Sequence, residues 1–510
     1  MKKFILLSFM GLLIMAFSTS VYAMDFKASG FIDAQWFYNV NATAANPAGG
    51  IYRALPSNFY WSGGVKGPQL DRKVNYYESR ARLKFDAIQD KNLSGTIFFE
   101  MDSSRWGDAS PTGAQRNAMG YWSADRAAVE VKNVYIDFGL PYIGIPVPMS
   151  FRVGLQPFSI RNNLLLYTDG MGITWNTKLD PVTISLFYAK PFEGKDSVSQ
   201  DDVDVLSGHI TAKIGTITAG GYALYYNMNA YPFPATVAPY GSTLPFDAQM
   251  WWFGLYADGK LGPVNINVDG IYDRGKVEAR DSFFGPFSLV PDVKYRGWVA
   301  RGKVDYPWQK FNFGVTGYYA SGADTEDTSP TGLPGSSTSI GTSSTKVKSY
   351  VVPPGSESGA ILGESVVFYS FWGNRGDSGI ANTLNYTQMS RGPVGGTWMA
   401  KAYASVMAAP WYKVTLQGMY IGDTTKNGNT FGTAVGFGAL SLEDKKDIGW
   451  EIDLINEINI YKNLKLVIAG GYMFAGKAMD QWTGTGIFPI PFNEEIKNPW
   501  AITWNLTYNF

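Results

Sequence analysis

The stretch from Tyr77 to Ala87 fixes the class of fold more tightly than any other. Tyr77, Ser79, Ala81, Leu83, Phe85 and Ala87 share one parity, while Glu78, Arg80, Arg82, Lys84 and Asp86 share the other. Successive side chains of a strand point to opposite faces, so a strand makes one small apolar face and one fully ionised face. A helix would mix the two sets around its circumference. The chain ends on the same pattern: Trp500, Ile502, Trp504, Leu506, Tyr508 and Phe510 alternate with Ala501, Thr503, Asn505, Thr507 and Asn509.

Segments of this kind recur along the chain, and counting them gives about 18 strands, 16 to 18 being the expected range. One of them, over 128–139, changes parity near Lys132 and Asn133, which predicts a β-bulge. The connections alternate in length. Gln89–Asn92, Asp180-Pro181, Gly215, Pro307–Lys310 and Tyr461–Asn463 are short, and the intervening connections are mostly long, the longest running from about 322 to 396. That alternation is the pattern of a transmembrane antiparallel up-and-down β-barrel with long loops on one side and short turns on the other.

The composition agrees. Charged residues make up 17% of the 510 residues, below the roughly 25% usual in soluble domains. Lysine plus arginine and aspartate plus glutamate both number 43, so no net charge favours a nucleic-acid partner. The absence of cysteine excludes thiolate catalysis, cysteine-held zinc and iron–sulfur clusters, and a single histidine, His209, excludes multi-histidine metal sites. No cofactor or metal is expected, and no enzymatic activity.

The first residues look like an export signal. Lys2 and Lys3 precede the apolar run Phe4–Phe17, and Val21-Tyr22-Ala23 fits a small-residue cleavage site, so the expected organisation is a signal peptide over 1–23 and a single barrel over 24–510. Downstream of Met24 there is no apolar run long enough for a helical span. A membrane protein without such helices satisfies its backbone in lipid as a closed barrel.

Aromatics gather towards the strand ends, among them Trp36, Tyr38, Trp251, Tyr306, Trp308, Trp398, Trp411, Tyr412, Trp500 and Tyr508, as interfacial girdles require. The polar parity carries bases and acids in equal number, and water is needed to hold them. Candidate pore-lining residues are Arg80, Arg82, Lys84, Glu100, Asp102, Arg152, Arg301, Lys303, Glu451 and Asp453. They form basic ladders (Arg80-Arg82-Lys84, Arg301-Lys303) and acidic ones (Glu100-Asp102, Glu451-Asp453). A field across a pore and plain solvated wall charge are both compatible with them. The connection from Pro157 to Met171 contains Leu164, Leu165, Leu166 and Tyr167, too apolar for a solvent-exposed tip. It is expected to fold inward, with Arg161 and Asp169 as constriction residues; a cap outside the barrel is the alternative. The 322–396 loop turns apolar at Val366–Trp372 and is expected to pack over or into the mouth.

Other motifs carry little. Gly471–Ala478 approaches a P-loop but lacks its Ser/Thr, and Ser343–Lys346 spells SxxK inside a low-complexity loop. Asp324, Glu326 and Asp327 are acids that divalent ions could bridge to lipopolysaccharide, but a solvated loop is the better default.

The export signal, the alternating strands and the terminal Trp504–Phe510 resemble a Gram-negative outer-membrane porin. Ser29–Gln35, Glu78–Lys84 and Arg152–Phe158 resemble segments of porins of Deltaproteobacteria. The resemblance implies an outer-membrane channel for small hydrophilic solutes or ions. It implies that Trp504, Leu506, Tyr508 and Phe510 form the signal read by the barrel-assembly machinery. It also implies contacts with outer-membrane lipid and lipopolysaccharide, and a homotrimer as one assembly state, since many porins are trimers. The competing expectation is a barrel that sheathes a partner such as a multihaem cytochrome in an electron conduit.

Overall fold

The computed structural model describes residues 24–41, 73–107, 129–140, 148–161, 164–193, 202–231, 246–279, 292–322, 324, 346–356, 364–369, 394–426, 445–479, 481–483, 492–494 and 497–510. The expected signal peptide, residues 1–23, lies outside them.

Eighteen antiparallel strands close into one barrel. They are β1 (Asp25–Val40), β2 (Lys73–Asp90), β3 (Leu93–Arg105), β4 (Glu130–Gly139), β5 (Met149–Ile160), β6 (Leu166–Leu179), β7 (Val182–Phe192), β8 (Val203–Ile214), β9 (Ile217–Tyr231), β10 (Phe246–Leu261) and β11 (Val264–Ala279). After an interrupted β12 (Val293–Tyr295 and Trp298–Trp308) come β13 (Phe311–Ala320), β14 (Thr397–Ala409), β15 (Tyr412–Asp423), β16 (Asp447–Tyr461), β17 (Leu464–Ala475) and β18 (Trp500–Asn509). Each strand pairs with its sequence neighbours. Closure comes from β1 against β18, in a register running from Phe31↔Asn509 to Val40↔Trp500. Phe510 is held at the seam by a backbone pair with Gly30, at 2.9 and 3.0 Å.

The strand-4 bulge falls where the parity changes. On β3 the partners step from Phe98↔Asn133 to Phe99↔Val131, leaving Lys132 extra. Lys132 and Asn133 therefore both reach the same lumenal carboxylate, Asp169.

The apolar parity faces outward. Leu255 is 74% exposed, and Phe85, Ile97, Ile136, Leu206, Val315, Leu416, Ile452 and Leu454 are exposed with it. A continuous apolar belt of this kind is unfavourable in water and favourable in hydrocarbon. Trp251, Tyr306, Trp308, Trp411 and Tyr508 are exposed near the strand ends. Rings stack along the belt's margins, as in Trp298–Tyr319 at 5.1 Å and Tyr77–Trp106 at 5.1 Å.

One expectation is corrected by the pairing. Most of Pro157–Met171 is strand rather than loop, because β5 runs on to Ile160 and β6 starts at Leu166. Only part of this hairpin belongs to the wall. β4 pairs with β5 no further than Leu155, and β7 pairs with β6 no further than Gly172. Beyond those residues β5 and β6 pair only with each other, up to Ile160↔Leu166. A two-stranded finger thus leaves the wall, which its apolar tip favours because the lumen offers burial.

The orientation of the wall yields a direct test. Phe85→Arg puts a base on the outward belt and should cost up to about 4 kcal/mol of barrel stability at mid-depth. Folding titrations in lipid should show that loss, whereas Lys84→Gln on the neighbouring inward position should leave stability nearly unchanged.

Candidate functional site

The finger and the 322–396 loop meet inside the barrel, and together they set the site. The root of the finger is braced by Gln156, whose Nε2 donates to the carbonyl of Gly172 at 2.7 Å while its Oε1 accepts from Thr174 Oγ1 at 2.8 Å. Phe158 packs on Phe187 at 4.8 Å between ring centroids. At the tip, Arg161 adopts a left-handed backbone conformation, φ 44°, which is uncommon for a non-glycine residue and costs about 1–3 kcal/mol.

That conformation carries the Arg161 guanidinium across to β10 and β11. Nη1 and Nη2 donate to the two oxygens of Asp258 at 2.6 and 3.1 Å, Nε pairs with Asp269, and the plane lies 4.4 Å from the ring of Tyr256. Burial works against the Arg161 charge, but Asp258 and Asp269 outweigh it and raise the group's pKa above its ordinary value. The return strand contacts the other wall: Asp169 accepts from Lys132 Nζ and Asn133 Nδ2, both at 2.7 Å. The finger therefore bridges β3–β4 and β10–β11, and Arg161 and Asp169 hold its two ends.

The loop lies on the finger. Tyr350 Oη donates to the carbonyl of Leu164 at 2.6 Å, and Ser356 Oγ donates to that of Leu165 at 2.9 Å. Lys346–Val347 joins the loop to the wall by parallel pairing with Lys294 and Tyr295 of β12. Farther on, Glu364 is gripped by Lys401 and by Arg301 Nη2 at 2.9 Å. Burial pushes the Glu364 carboxyl up, yet Lys401 and then Arg301 outweigh it and hold the pKa below its ordinary value. A depressed carboxylate stabilises the closed contact above its unfolded pKa and loses that contribution as pH falls through the folded one. The loop-to-wall grip thus persists at neutral pH.

Tyr350, Val351, Val352, Val367, Phe368 and Tyr369 are all buried. They pack with Leu164–Leu166 against inward residues of β8–β11 such as Val205, Leu224, Met228, Met250 and Trp252. The lumen is consequently divided. At the short-turn end Lys84, Asp137, Arg152, Lys303, Lys413 and Lys465 remain 33–43% exposed. At the long-loop end the barrel holds a dry core.

The ladders are distributed across this division. Arg82 pairs with Glu100, and Arg80 lies 3.9 Å from it, so the β2 bases sit beside acids rather than facing them across a gap. Arg301 stands 3.9 Å from Asp269, and Lys303 the same from Asp305. Arg152 pairs with Asp137 at 2.7 Å and lies over Tyr135. Glu451 and Asp453, expected on a water-filled wall, are instead buried at 0% and 1% because the loop covers them. The side chain of Asp102 lies outside those described, as do Glu326 and Asp327. His209 faces the lumen, hydrogen-bonded to Tyr256 Oη at 2.8 Å. A single 3-10 turn, Lys477–Met479, follows the P-loop-like glycines.

Comparison with known proteins places no family name on this arrangement. No family model matches the chain, and no curated protein matches it. Among solved structures it is similar to Pseudomonas aeruginosa OccK8 (OprE), with 10% identity, 95% of this chain and 98% of that one covered, and a TM-score of 0.49. It is similar to Pseudomonas aeruginosa OccK1 (OpdK) with 9% identity, coverage of 95% and 98%, and a TM-score of 0.48. A BenF-like porin from Pseudomonas fluorescens Pf-5 gives 10% identity, coverage of 95% and 98%, and a TM-score of 0.45.

The residues that sequence reasoning missed are Glu364 and Trp252, which anchor the loop together with Asp273, an acid of the inward parity. Glu364 lies two residues before the apolar Val366 run, and an acid beside an otherwise buried segment was the available signal.

Neutralising the β2 ladder tests whether its charge reaches the permeation path. Replacing Arg80, Arg82 and Lys84 by Gln removes two of the bases beside Glu100, leaving Lys132, and takes Lys84 from Asp86, so reversal potentials should move towards cation selectivity, most at low salt where screening is weakest. An unchanged reversal potential in the folded variant would place the ladder away from the ion path.

Proposed function

We propose that the chain is an outer-membrane porin, of the kind its Deltaproteobacterial-like segments suggest, that passes small hydrophilic solutes or ions by passive diffusion. The observation that carries the reading is the division of faces: an apolar outer belt around a closed barrel, and an inner wall whose charges at the short-turn end are water-exposed. A wall of paired, hydrated acids and bases lowers the cost of moving a polar solute through a low-dielectric layer without binding any one solute tightly. The finger narrows the path, and Arg161 and Asp258 are the charges a solute would pass at its tip, with Asp269 buried behind Arg161.

The lumen is occupied by the chain's own finger and loop, which favours small solutes over a protein partner threaded through the barrel. Export by a signal peptide over 1–23, recognition of Trp504, Leu506, Tyr508 and Phe510 by the assembly machinery, and assembly into trimers belong to the same proposal. The seam contact of Phe510 with Gly30 supports a role for the last residue in closing the barrel.

Two measurements test this reading. Purified, folded chain in planar bilayers should give discrete ion conductance, and its absence from every folded form would overturn the channel. Deleting Phe510 should leave precursor export intact and reduce the amount of barrel in the outer membrane; normal yield would remove the assembly role.

A further inference from the structure

We infer that the loop segments 346–356 and 364–369 form a lid that opens, and that the wall carboxylates of Asp273 and Glu451 are its latch. This rests on the channel reading, and extends it from a static constriction to a two-state gate.

Both carboxylates are fully buried; Glu451 spends both oxygens on the lid's backbone, and Asp273 spends one there and the other on the wall at Gly297. Glu451 accepts from the N–H groups of Val366 at 3.0 Å, Val367 at 2.6 Å and Phe368 at 3.0 Å. Its neighbour Asp453 accepts from Val366 N at 3.2 Å and from Gln417 Nε2 at 2.8 Å. Asp273 accepts from Val351 N at 3.1 Å and from Gly297 N at 2.7 Å, while Trp252 Nε1 donates to the carbonyl of Val351 at 2.8 Å. Among the described residues, no lysine or arginine lies within ion-pair distance of Asp273, Glu451 or Asp453.

The lid also has fitted seats. A Cβ at Gly471 would stand 2.8 Å from Val366 Cβ, and one at Gly297 would stand 2.5 Å from the Cα of Tyr350. Only a residue without a side chain lets the lid approach the wall at these two points. The fit is close, yet the charge is badly placed for a permanent plug. A carboxylate buried without a cation is costly, and apolar residues of similar volume commonly hold a fixed core as well or better. The same carboxylate has two good environments in a gate. With the lid closed it satisfies backbone donors that would otherwise be orphaned; with the lid withdrawn, water enters and hydrates it. The two states are thereby brought near balance, which is what a bistable element requires.

The lid and finger share contacts through Tyr350, Ser356 and Leu164–Leu166, so lid withdrawal uncovers the finger and with it the path to the exposed lower lumen. Glu364 marks the edge that must break from Arg301 and Lys401 for this to occur.

Two substitutions test the gate. Gly471→Ala places a Cβ where Val366 seats and so holds the lid off the wall. Glu451→Ala leaves the closed-state N–H groups of Val367 and Phe368 without an acceptor, Val366 keeping Asp453, and each buried orphan shifts the closed-to-open ratio by about tenfold or more. Single-channel recording of the full-length folded barrel should show closed and open levels for the parent, and mostly the open level for Gly471→Ala and for Glu451→Ala. If Gly471→Ala conducts like the parent, the lid is not a gate and the channel reading stands. If Glu451→Ala leaves the open fraction unchanged, the carboxylate is not a latch. If no form conducts, the segment is a fixed plug and both the gate and the channel readings fall.

Discussion

Backbone hydrogen bonding in a medium without water is the constraint on which this structure depends. A strand in hydrocarbon must give every N–H and C=O to a neighbour, and an open edge cannot. The β1–β18 seam is therefore indispensable: it converts eighteen strands with two exposed edges into a ring with none. Once the ring is closed, parity does the rest. Each inward position has a fixed outward neighbour, so a sequence that keeps Leu83 and Phe85 in lipid necessarily turns Arg82 and Lys84 towards the lumen.

That coupling explains why the wall was legible. Alternation is local, and its consequence is global, because a one-residue slip in any strand would drive a whole row of charges into lipid. The sequence segments match the observed strands closely, and even the irregularity at Lys132 appears as a register step. The lumen contents were less legible. Inward folding of Leu164–Tyr167 follows from their apolarity, but the extension of β5 and β6 beyond the wall does not. Strand pairing without a wall neighbour leaves no mark in the pattern of a hairpin.

A second signal lies in the strands that the long loops join. On the upper halves of β8, β9 and β10 both parities are apolar: Leu206 beside Val203 and Val205, Tyr225 beside Leu224 and Tyr226, Trp251 and Phe253 beside Met250 and Trp252. Strands covered on both faces lose their alternation. One face of these strands meets lipid, so the other had to meet protein, and the chain's own apolar Val366 run was available to cover it. Loss of alternation in part of a barrel is in this sense a record of what lies inside.

The division of the lumen follows from these two patterns together. Where alternation is clean, near the short turns, the inner wall is charged and water-exposed. Where it lapses, near the long loops, the inner wall is apolar and filled. Asp273, Glu451 and Asp453 sit in the filled region, against the trend of their surroundings. A wall built only to be plugged would have continued the apolar pattern through those positions, and a wall built only to be wet would not have placed Trp252 beside Asp273 or Met419 and Met473 beside Glu451. Carboxylates set among apolar neighbours suit a surface that must be compatible with backbone donors at one time and with water at another, and that double requirement distinguishes the loop-facing wall from both the lipid belt and the hydrated vestibule below it.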